Sequence, residues 1–589
     1  MNRWIWVLGV LMLGQTGCVN PQTRAQSSEE TERDKDLEVR TIGDVTEVDN
    51  VQRIQVSGVG LVTGLDETGH SPPSQFRTML EQQLRKQKVE DVKGLLDSRS
   101  NCLVLVNAFI PAGARKGDVI DIEVTLPAGS KATSLRGGYL QDCILREYEN
   151  KRTLSPQYAG SNQLLSSQVL AHARGPLLVG FGNTDEMRQG LIWGGGISDI
   201  ERPFFLWLKA DERYASIAKA IADRLNLMFQ DDPRSQRVLQ QHQRLNLLDD
   251  VTQQLNQKQD HGPGHGEIAK AVNKEMINLR VPYAYRYNPE RYLRVARLMP
   301  LREVPEHQGR YRRRLNKMLL DPADTVRAAL RLEALGKESV PALKKGLDSD
   351  HPLVRFASAE ALAYLGSTAG VDDLAKLAEQ QPDVRMYCLM ALSSLDEGIC
   401  RNKLAEMLTM DDSALRCGAF RALRLLDESA PRLRNDLGGE VLGHSFWLHR
   451  VAPKSPRLVY FALGKKAEVV LFGEGIQLAP LKVLAGSEFT VAIEEGDDRC
   501  TVSRITNHGG LTQKQCSLRL EDVLRTMAEL GAGYPEAVDL LRKLDDRQAV
   551  NCPIAANTLP TLISVEELAD GGRNPSFLKD HPGRGKGAE

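Results

Sequence analysis

A chain of 589 residues is too long to close around one core and points to three or four domains, while 26% charged and 41% hydrophobic residues mark globular protein rather than disorder. A net charge of -1, with no block in which Lys and Arg prevail, excludes nucleic acid as the main partner, because a phosphate-binding surface needs a local cationic excess. The short basic run RYRRR at 310–314 reads as a solvated helix start.

At the N-terminus Arg3 supplies a positive flank and Trp4 to Leu13 an apolar segment too short to span a bilayer as a mature helix; Gly17 then precedes Cys18. The arrangement resembles a bacterial lipoprotein signal, with Cys18 the lipidated residue. It departs from that pattern in placing Gln15 three residues before the cysteine, where Leu is usual, and Leu13 five before. An ordinary cleaved secretory signal is the other reading, and both send the protein out of the cytoplasm. Gln22 to Asp36 is polar and free of aromatics, which leaves nothing to bury and suits a tether.

Val56 to Leu65 mixes apolar residues with Gly58, Gly60 and Gly64, as in a strand with bulges or close backbone approach. The spacing is not that of a dinucleotide fingerprint, and no Gly-Lys-Ser/Thr follows. Ser74 to Leu84 predicts a helix with Phe76, Met79, Leu80 and Leu84 on one face, and Cys102 to Phe109 a buried strand. Val119 to Leu126 alternates, turning Ile120, Ile122, Val124 and Leu126 inward and Asp121 and Glu123 outward. No His stands beside those two carboxylates, so they read as surface groups rather than an acid/base pair. Of nine cysteines, Cys102, Cys143, Cys500, Cys516 and Cys552 lie in or near strand-like stretches where an oxidising compartment permits bridges whose pairing the sequence leaves open. Cys388, Cys400 and Cys417 sit in apolar helical patterns and read as small buried hydrophobes.

The segments SGVGLVTGLDETG (57–69), VLVNAFIPAGARKGDVIDIEV (104–124), ATSLRGGYL (132–140) and VLAHARGPLLVGFG (169–182) resemble, in order and approximate spacing, the flagellar P-ring protein family. ERPFFLWLKADERYASIAKAIADRLN (201–226) is similar to the family's strand and amphipathic helix, with Tyr214, Ile217, Ala218, Ile221, Ala222 and Leu225 as the apolar stripe behind an Asp211 cap. SLRLEDVLRTMAELGAGYPEAVDLLRKL (517–544) is similar to its closing helical pair, punctuated by Gly531 and Pro535. The resemblance implies a periplasmic homo-oligomeric ring around the flagellar rod, acting with an outer-membrane ring as a bushing. As structural and subunit-packing positions it implies Gly58, Gly60, Gly64, Gly69, Arg115, Gly117, Ser134, Leu135, Arg136, Gly137 and Gly138. Turn and strand geometry within one subunit already accounts for the glycines, whereas Arg136 suits an interface.

A helical block interrupts the resemblance. Units opening at 321, 350, 381 and 411 place Arg327, Arg355, Arg385 and Arg416 at intervals of 28, 30 and 31 residues, a period of stacked helix pairs that resembles short HEAT-like repeats. The second helices run over Val340 to Leu347 and Asn402 to Leu408. The four arginines are expected to form a ladder with acidic neighbours. Beyond the block, Leu458 to Leu463, Ala467 to Phe472 and Glu488 to Ile493 read as strands. His261 and His265 have metal-like spacing, but the intervening glycines and proline favour a loop, and neither Gly-x-Ser-x-Gly nor His-Glu-x-x-His occurs.

The expected fold is therefore α+β: a mixed, β-rich P-ring-like body split by an all-α HEAT-like solenoid insert. Its parts are a signal at 1–18, a tether at 19–44, body at 45–305, repeats at 306–435, body again at 436–560 and a disordered tail at 561–589. The expected role is structural, without enzyme activity, cofactor or metal. Expected partners are copies of itself, the rod and outer-membrane ring proteins, and the membrane through a lipid anchor; the location is the periplasm and flagellar basal body, with outer-membrane anchoring. Two other function classes are left open: a lipid-anchored envelope adaptor that binds partners through the repeats, and an envelope enzyme whose residues converge in space without a sequence signature.

Overall fold

The computed structural model describes residues 39–150, 164–179, 187–229, 267–301, 305–429, 437, 439–443, 446–463, 467–486, 488–505 and 510–571. Cys18, His261 and His265 lie outside these residues. The described chain opens on a four-residue helix, α1 (Ile42–Val45), and strand β1 (Thr46–Asp49). Ile42 and Val45 are fully buried, so the expected tether gives way to folded chain before residue 45.

β2 (Ile54–Thr63) leads to helices α2 (Gln75–Lys86) and α3 (Val92–Asp97), then to β3 (Cys102–Ile110), β4 (Val119–Thr125), β5 (Tyr139–Asn150), β6 (Leu164–Pro176), β7 (Leu178–Val179) and β8 (Gln189–Ser198). The strand order β4-β3-β2-β5-β6-β8 returns on itself through a β4–β8 ladder, so six strands close a barrel, and β7 adds to β8. Closure removes the free edges that an open sheet would expose. β4 buries Ile120, Ile122 and Val124 and exposes Asp121 and Glu123, as the two-residue period requires. The register between β2 and β5 shifts between Ser57 and Val62, the irregularity that glycines in that strand foreshadow. α2 starts where Ser74 Oγ accepts a hydrogen bond from the Arg77 amide at 3.2 Å.

β9 (Phe204–Leu208), helix α4 (Ala215–Met228), β10 (Ala269–Ala271) and β11 (Met276–Leu279) follow. β1, β9, β11 and β10 make an antiparallel sheet covered by α4, whose Ala218, Ile221, Ala222 and Leu225 are buried. Two details differ from expectation. Asp211 does not cap α4, because a single 3-10 turn (Ala210–Glu212) intervenes; Tyr214 occupies the cap in an extended conformation and stays 61% exposed instead of joining the apolar stripe.

Helix α5 (Pro289–Leu298) enters the helical block α6 (Pro305–Leu319), α7 (Thr325–Ala334), α8 (Val340–Leu347), α9 (Pro352–Tyr364), α10 (Val371–Gln380), α11 (Arg385–Ser394), α12 (Gly398–Met407) and α13 (Ser413–Ser429). α7, α9, α11 and α13 stack in series, with α10 on α12 behind them. The RYRRR run is an exposed face within α6, with Tyr311 turned into the core, rather than a helix start. α9 ends where Gly366 takes φ +79° and the Ser367 amide reaches back to the Leu362 carbonyl at 2.9 Å, a closure that glycine adopts without strain.

The chain then forms β12 (Gly439–Leu442), β13 (Phe446–Val451), β14 (Leu458–Phe461), β15 (Glu468–Phe472), β16 (Leu481–Ala485), β17 (Phe489–Ile493), β18 (Arg499–Ile505), β19 (Leu511–Ser517), α14 (Leu520–Glu529), α15 (Tyr534–Asp546), β20 (Ile554–Ala556) and α16 (Val565–Gly571). One sheet has the order β12-β13-β15-β14-β20; β16 to β19 form an antiparallel meander. β14 and β15 are buried along their whole length. Val459, Phe461, Val469 and Leu471 pack with the meander, α14 and α15, while Leu458, Tyr460, Val470 and Phe472 pack into one core continuous with α5 and the helical block. A strand buried on both faces reads as an unbroken apolar run, which is why LVYF, and VVLF after Glu468, lack alternation. α16 corrects the expected tail over 561–571. Ser564 and Glu567 cap it reciprocally, at 2.8 and 3.1 Å, and Leu568 anchors it in the core.

Candidate functional site

Of the residues singled out in the barrel, Arg115 and Arg136 sit at its junctions with the rest of the chain. Arg115 donates to the Val281 carbonyl at 2.6 Å, joining the loop before β4 to the chain after β11, and its own amide is held by Asp118 at 2.8 Å. The Gly117 amide bonds Ser198 at 2.7 Å. The Thr68 hydroxyl donates to the Ser134 carbonyl at 2.7 Å, and Leu135 is fully buried. The glycines are accounted for inside one chain. A Cβ at Gly58 would stand 2.4 Å from the Ile144 carbonyl oxygen and one at Gly69 2.1 Å from that of Asn101; at Gly60 and Gly138 it would meet Leu140 and Val62. Gly64, Gly117 and Gly137 take positive φ.

Arg136 reaches furthest. Its guanidinium pairs with Asp539 on α15, 403 residues along the chain. Asp539 also accepts from the Gly486 amide at 2.8 Å and Lys543 Nζ at 3.0 Å, so one carboxylate gathers the barrel, the meander and the closing helices. Beside it, Trp193 of β8 meets Tyr534 of α15 edge-on, ring centres 6.4 Å apart, and Leu178 of β7 packs into the core of that C-terminal module. The two lengths of chain separated by the helical block are thus in direct contact.

The block itself is fixed at both ends by buried charge. At its entry Arg291 of α5 lies between Glu333 of α7 and Glu360 of α9, each contact 2.6 Å, with all three side chains at most 7% exposed. Tyr285 donates to Glu333 at 2.7 Å and stacks on Tyr364 at 4.6 Å, whose ring lies under the Arg291 guanidinium. Two carboxylates share one guanidinium in a buried site. Burial, against the opposing pull of Arg291, lifts the Glu360 carboxyl to about 7 and moves Glu333 upward as well. At the exit Glu468 of β15, fully buried, faces Arg424 at 3.4 Å and Arg421 at 3.8 Å of α13, and His449 of β13 at 3.7 Å. Burial first, and Arg424 second, depress the His449 imidazole to about 4, so it is neutral. These charged groups can be found in sequence as acidic or basic residues inside otherwise apolar helix and strand runs, such as Glu360 in ASAEALAYLG.

The four repeat arginines do not make a continuous acidic ladder. Arg327 pairs with Asp324 of its own unit at 3.4 Å, and Arg385 with Asp412 of the next at 2.9 Å. Arg355 instead donates to the carbonyls of Ser349 and Asp350 at 2.8 and 2.9 Å, Arg385 also to that of Ala378 at 2.8 Å, and Arg416 to that of Pro456 while lying over the Phe472 ring. Carbonyls around helix ends and in turns lack partners in the helix ladder and draw cations, which explains the recurrence without any ligand. The described residues contain no cluster of three or more His, Cys, Asp or Glu that could hold a metal, and no described helix is long and apolar enough to cross a membrane.

A closed barrel, a helical-repeat block and a β-rich C-terminal module sharing charged junctions define an α+β protein. Residues 41–192, which cover β1 and most of the barrel, match the family model described as Flagellar P-ring protein, and residues 313–393 match that of HEAT repeats. The chain is 34% identical over 165 residues to the flagellar P-ring protein of Aliivibrio salmonicida, covering 28% of this chain and 41% of that one. It is 32% identical over 194 residues to that of Aliivibrio fischeri (31% and 49%) and 33% over 138 residues to that of Helicobacter pylori (22% and 39%). The chain thus spans about half or less of the length of the curated relatives it matches. The likeness to flagellar P-ring proteins rests on the barrel region, and the likeness to HEAT repeats on part of the helical block.

Proposed function

We propose that the protein is a structural subunit of a periplasmic ring of the flagellar P-ring type, surrounding the rod of the basal body as a bushing, with the HEAT repeats offering a surface to a protein neighbour. The observation that carries this reading is the Arg136–Asp539 contact: the P-ring-like barrel and the C-terminal module close on each other across the helical block, as parts of one subunit rather than as tethered modules. Helices of the block line the same core as α5 and β15, so the repeats form part of the subunit wall.

The test is stoichiometry in the envelope. A ring subunit purifies as a large closed oligomer that fractionates with basal bodies and shows a ring by electron microscopy. A monomer, or a complex of one copy with a different envelope protein, would overturn the ring and favour a lipid-anchored adaptor. Anchoring through Cys18 is tested separately, since Cys18→Ser should move the protein from the membrane to the soluble envelope fraction.

A further inference from the structure

Cys500 and Cys516 stand directly opposite one another on the antiparallel strands β18 and β19. Opposed residues in such a ladder have Cα atoms about 4.5 to 5.5 Å apart, inside the span of about 4.4 to 6.8 Å that a disulfide bridges without backbone movement. Cys516 Sγ lies 3.7 Å from the Cys500 carbonyl oxygen, so its side chain leans toward the opposite strand. Cys500 is fully buried and Cys516 partly accessible. No other two of the eight described cysteines share a register position: Cys102 faces Val62, Cys143 faces Ala173, Cys388, Cys400 and Cys417 lie on helices, and Cys552 precedes β20.

From this register we propose that Cys500 and Cys516 form an intrachain disulfide by exchange with an oxidised partner of the disulfide class, either a protein disulfide or glutathione disulfide. The Cys516 thiolate attacks one sulfur of that disulfide, forming a mixed disulfide and expelling the first thiolate. Cys500 then loses its proton, attacks Cys516 Sγ and expels the second. One S–S bond is broken and one made; two electrons pass to the oxidant, and the two protons end on its thiols. The order follows from access and acidity. A hydrogen bond between the thiols lowers Cys516 to about 7 and raises its buried partner. The bridge would clamp β19, whose first five residues are all exposed, onto the meander. It does not depend on ring assembly.

The full-length chain supplies the test. After equilibration in a glutathione/glutathione disulfide buffer, free thiols are alkylated and the protein is cut with trypsin, which cleaves after Arg499, Arg504, Lys514 and Arg519. The expected product is peptide 500–504 joined to peptide 515–519. Recovery of both peptides alkylated, or of either joined to a different cysteine such as Cys552, overturns the proposal. Cys500→Ser should trap a mixed disulfide with glutathione at Cys516, whereas Cys516→Ser should leave Cys500 unmodified; the reverse pattern overturns the assigned order.

Discussion

Arg136 in the turn before β5 and Asp539 on α15 form an ion pair across 403 residues of sequence, and it ties the barrel to the C-terminal module. Each side chain is 26% exposed, so solvent screens the pair, and Arg136→Ala should destabilise the chain by about 1 kcal/mol. Asp539→Ala should cost more, because Gly486 and Lys543 lose the same acceptor. The charge swap Arg136→Asp with Asp539→Arg should fail to restore stability, since the new arginine would face Lys543. Urea midpoints of the natural chain and these three variants check all three statements.

The buried cluster at the entry of the helical block gives a pH dependence of definite sign. Glu360 keeps its proton to about pH 7 in the fold but releases it near the ordinary glutamate range when unfolded. The native state therefore binds more protons between those limits, and this group's contribution to stability falls as pH rises from about 4.5 to 7. His449 acts in the opposite direction. Neutral in the fold down to about 4 and titrating near 6.5 when unfolded, it contributes stability that is lost as pH falls through that window. The two slopes oppose each other in the natural chain, and Glu333, raised as well, adds to that of Glu360. Glu360→Gln should leave a stability that drops toward acid, and His449→Gln one that drops toward neutral pH, each by a few kcal/mol at most on the scale of about 1.4 kcal/mol per unit. Thermal melts of both variants from pH 4.5 to 7.5 separate them.

Local pattern carried much of this architecture. The alternation of VIDIEVT, the helical face of Leu80 and Leu84 and the boundaries of Val340–Leu347 appear in the structure as read, because each depends only on neighbours in the chain. What the sequence could not display is pairing at a distance. Nothing near Arg136 names Asp539, and nothing near Glu468 names Arg421 and Arg424. The same holds for Tyr214, whose apolar-stripe position was overruled by a one-turn 3-10 segment that delays the helix. The arginine period was legible, but its partners were not: carbonyls carry no side-chain signature, so an expected acidic ladder became in large part a set of bonds to turns and helix ends.

The glycines of the barrel give a test of whether they serve the subunit or the contact between subunits. Gly69→Ala would force a methyl to within 2.1 Å of the Asn101 carbonyl and 2.6 Å of that of Arg99, both backbone atoms that cannot swing aside. A cost of about 1 to 3 kcal/mol is expected, from overpacking alone. It should show in dilute, unassembled protein. If the isolated subunit melts unchanged while assembly is lost, Gly69 belongs to an interface.

Removing the repeats is the severest test of the shared core. Phe420 of α13 lies 6.4 Å from Phe472 of β15 and 5.2 Å from His449 of β13, ring centre to ring centre, so α13 roofs one face of a sheet whose other face carries the C-terminal module. Deleting 310–435 would expose Leu458, Tyr460, Val470 and Phe472 together and strip Arg291 and Glu468 of their partners from the block. The expected product is an aggregating, protease-sensitive chain, even with a generous linker across the gap. Phe420→Ala asks the same question with one side chain and should cost about 3 to 5 kcal/mol. A deleted chain that stays soluble, resists limited proteolysis and melts cooperatively would show that the repeats are separable from the body after all.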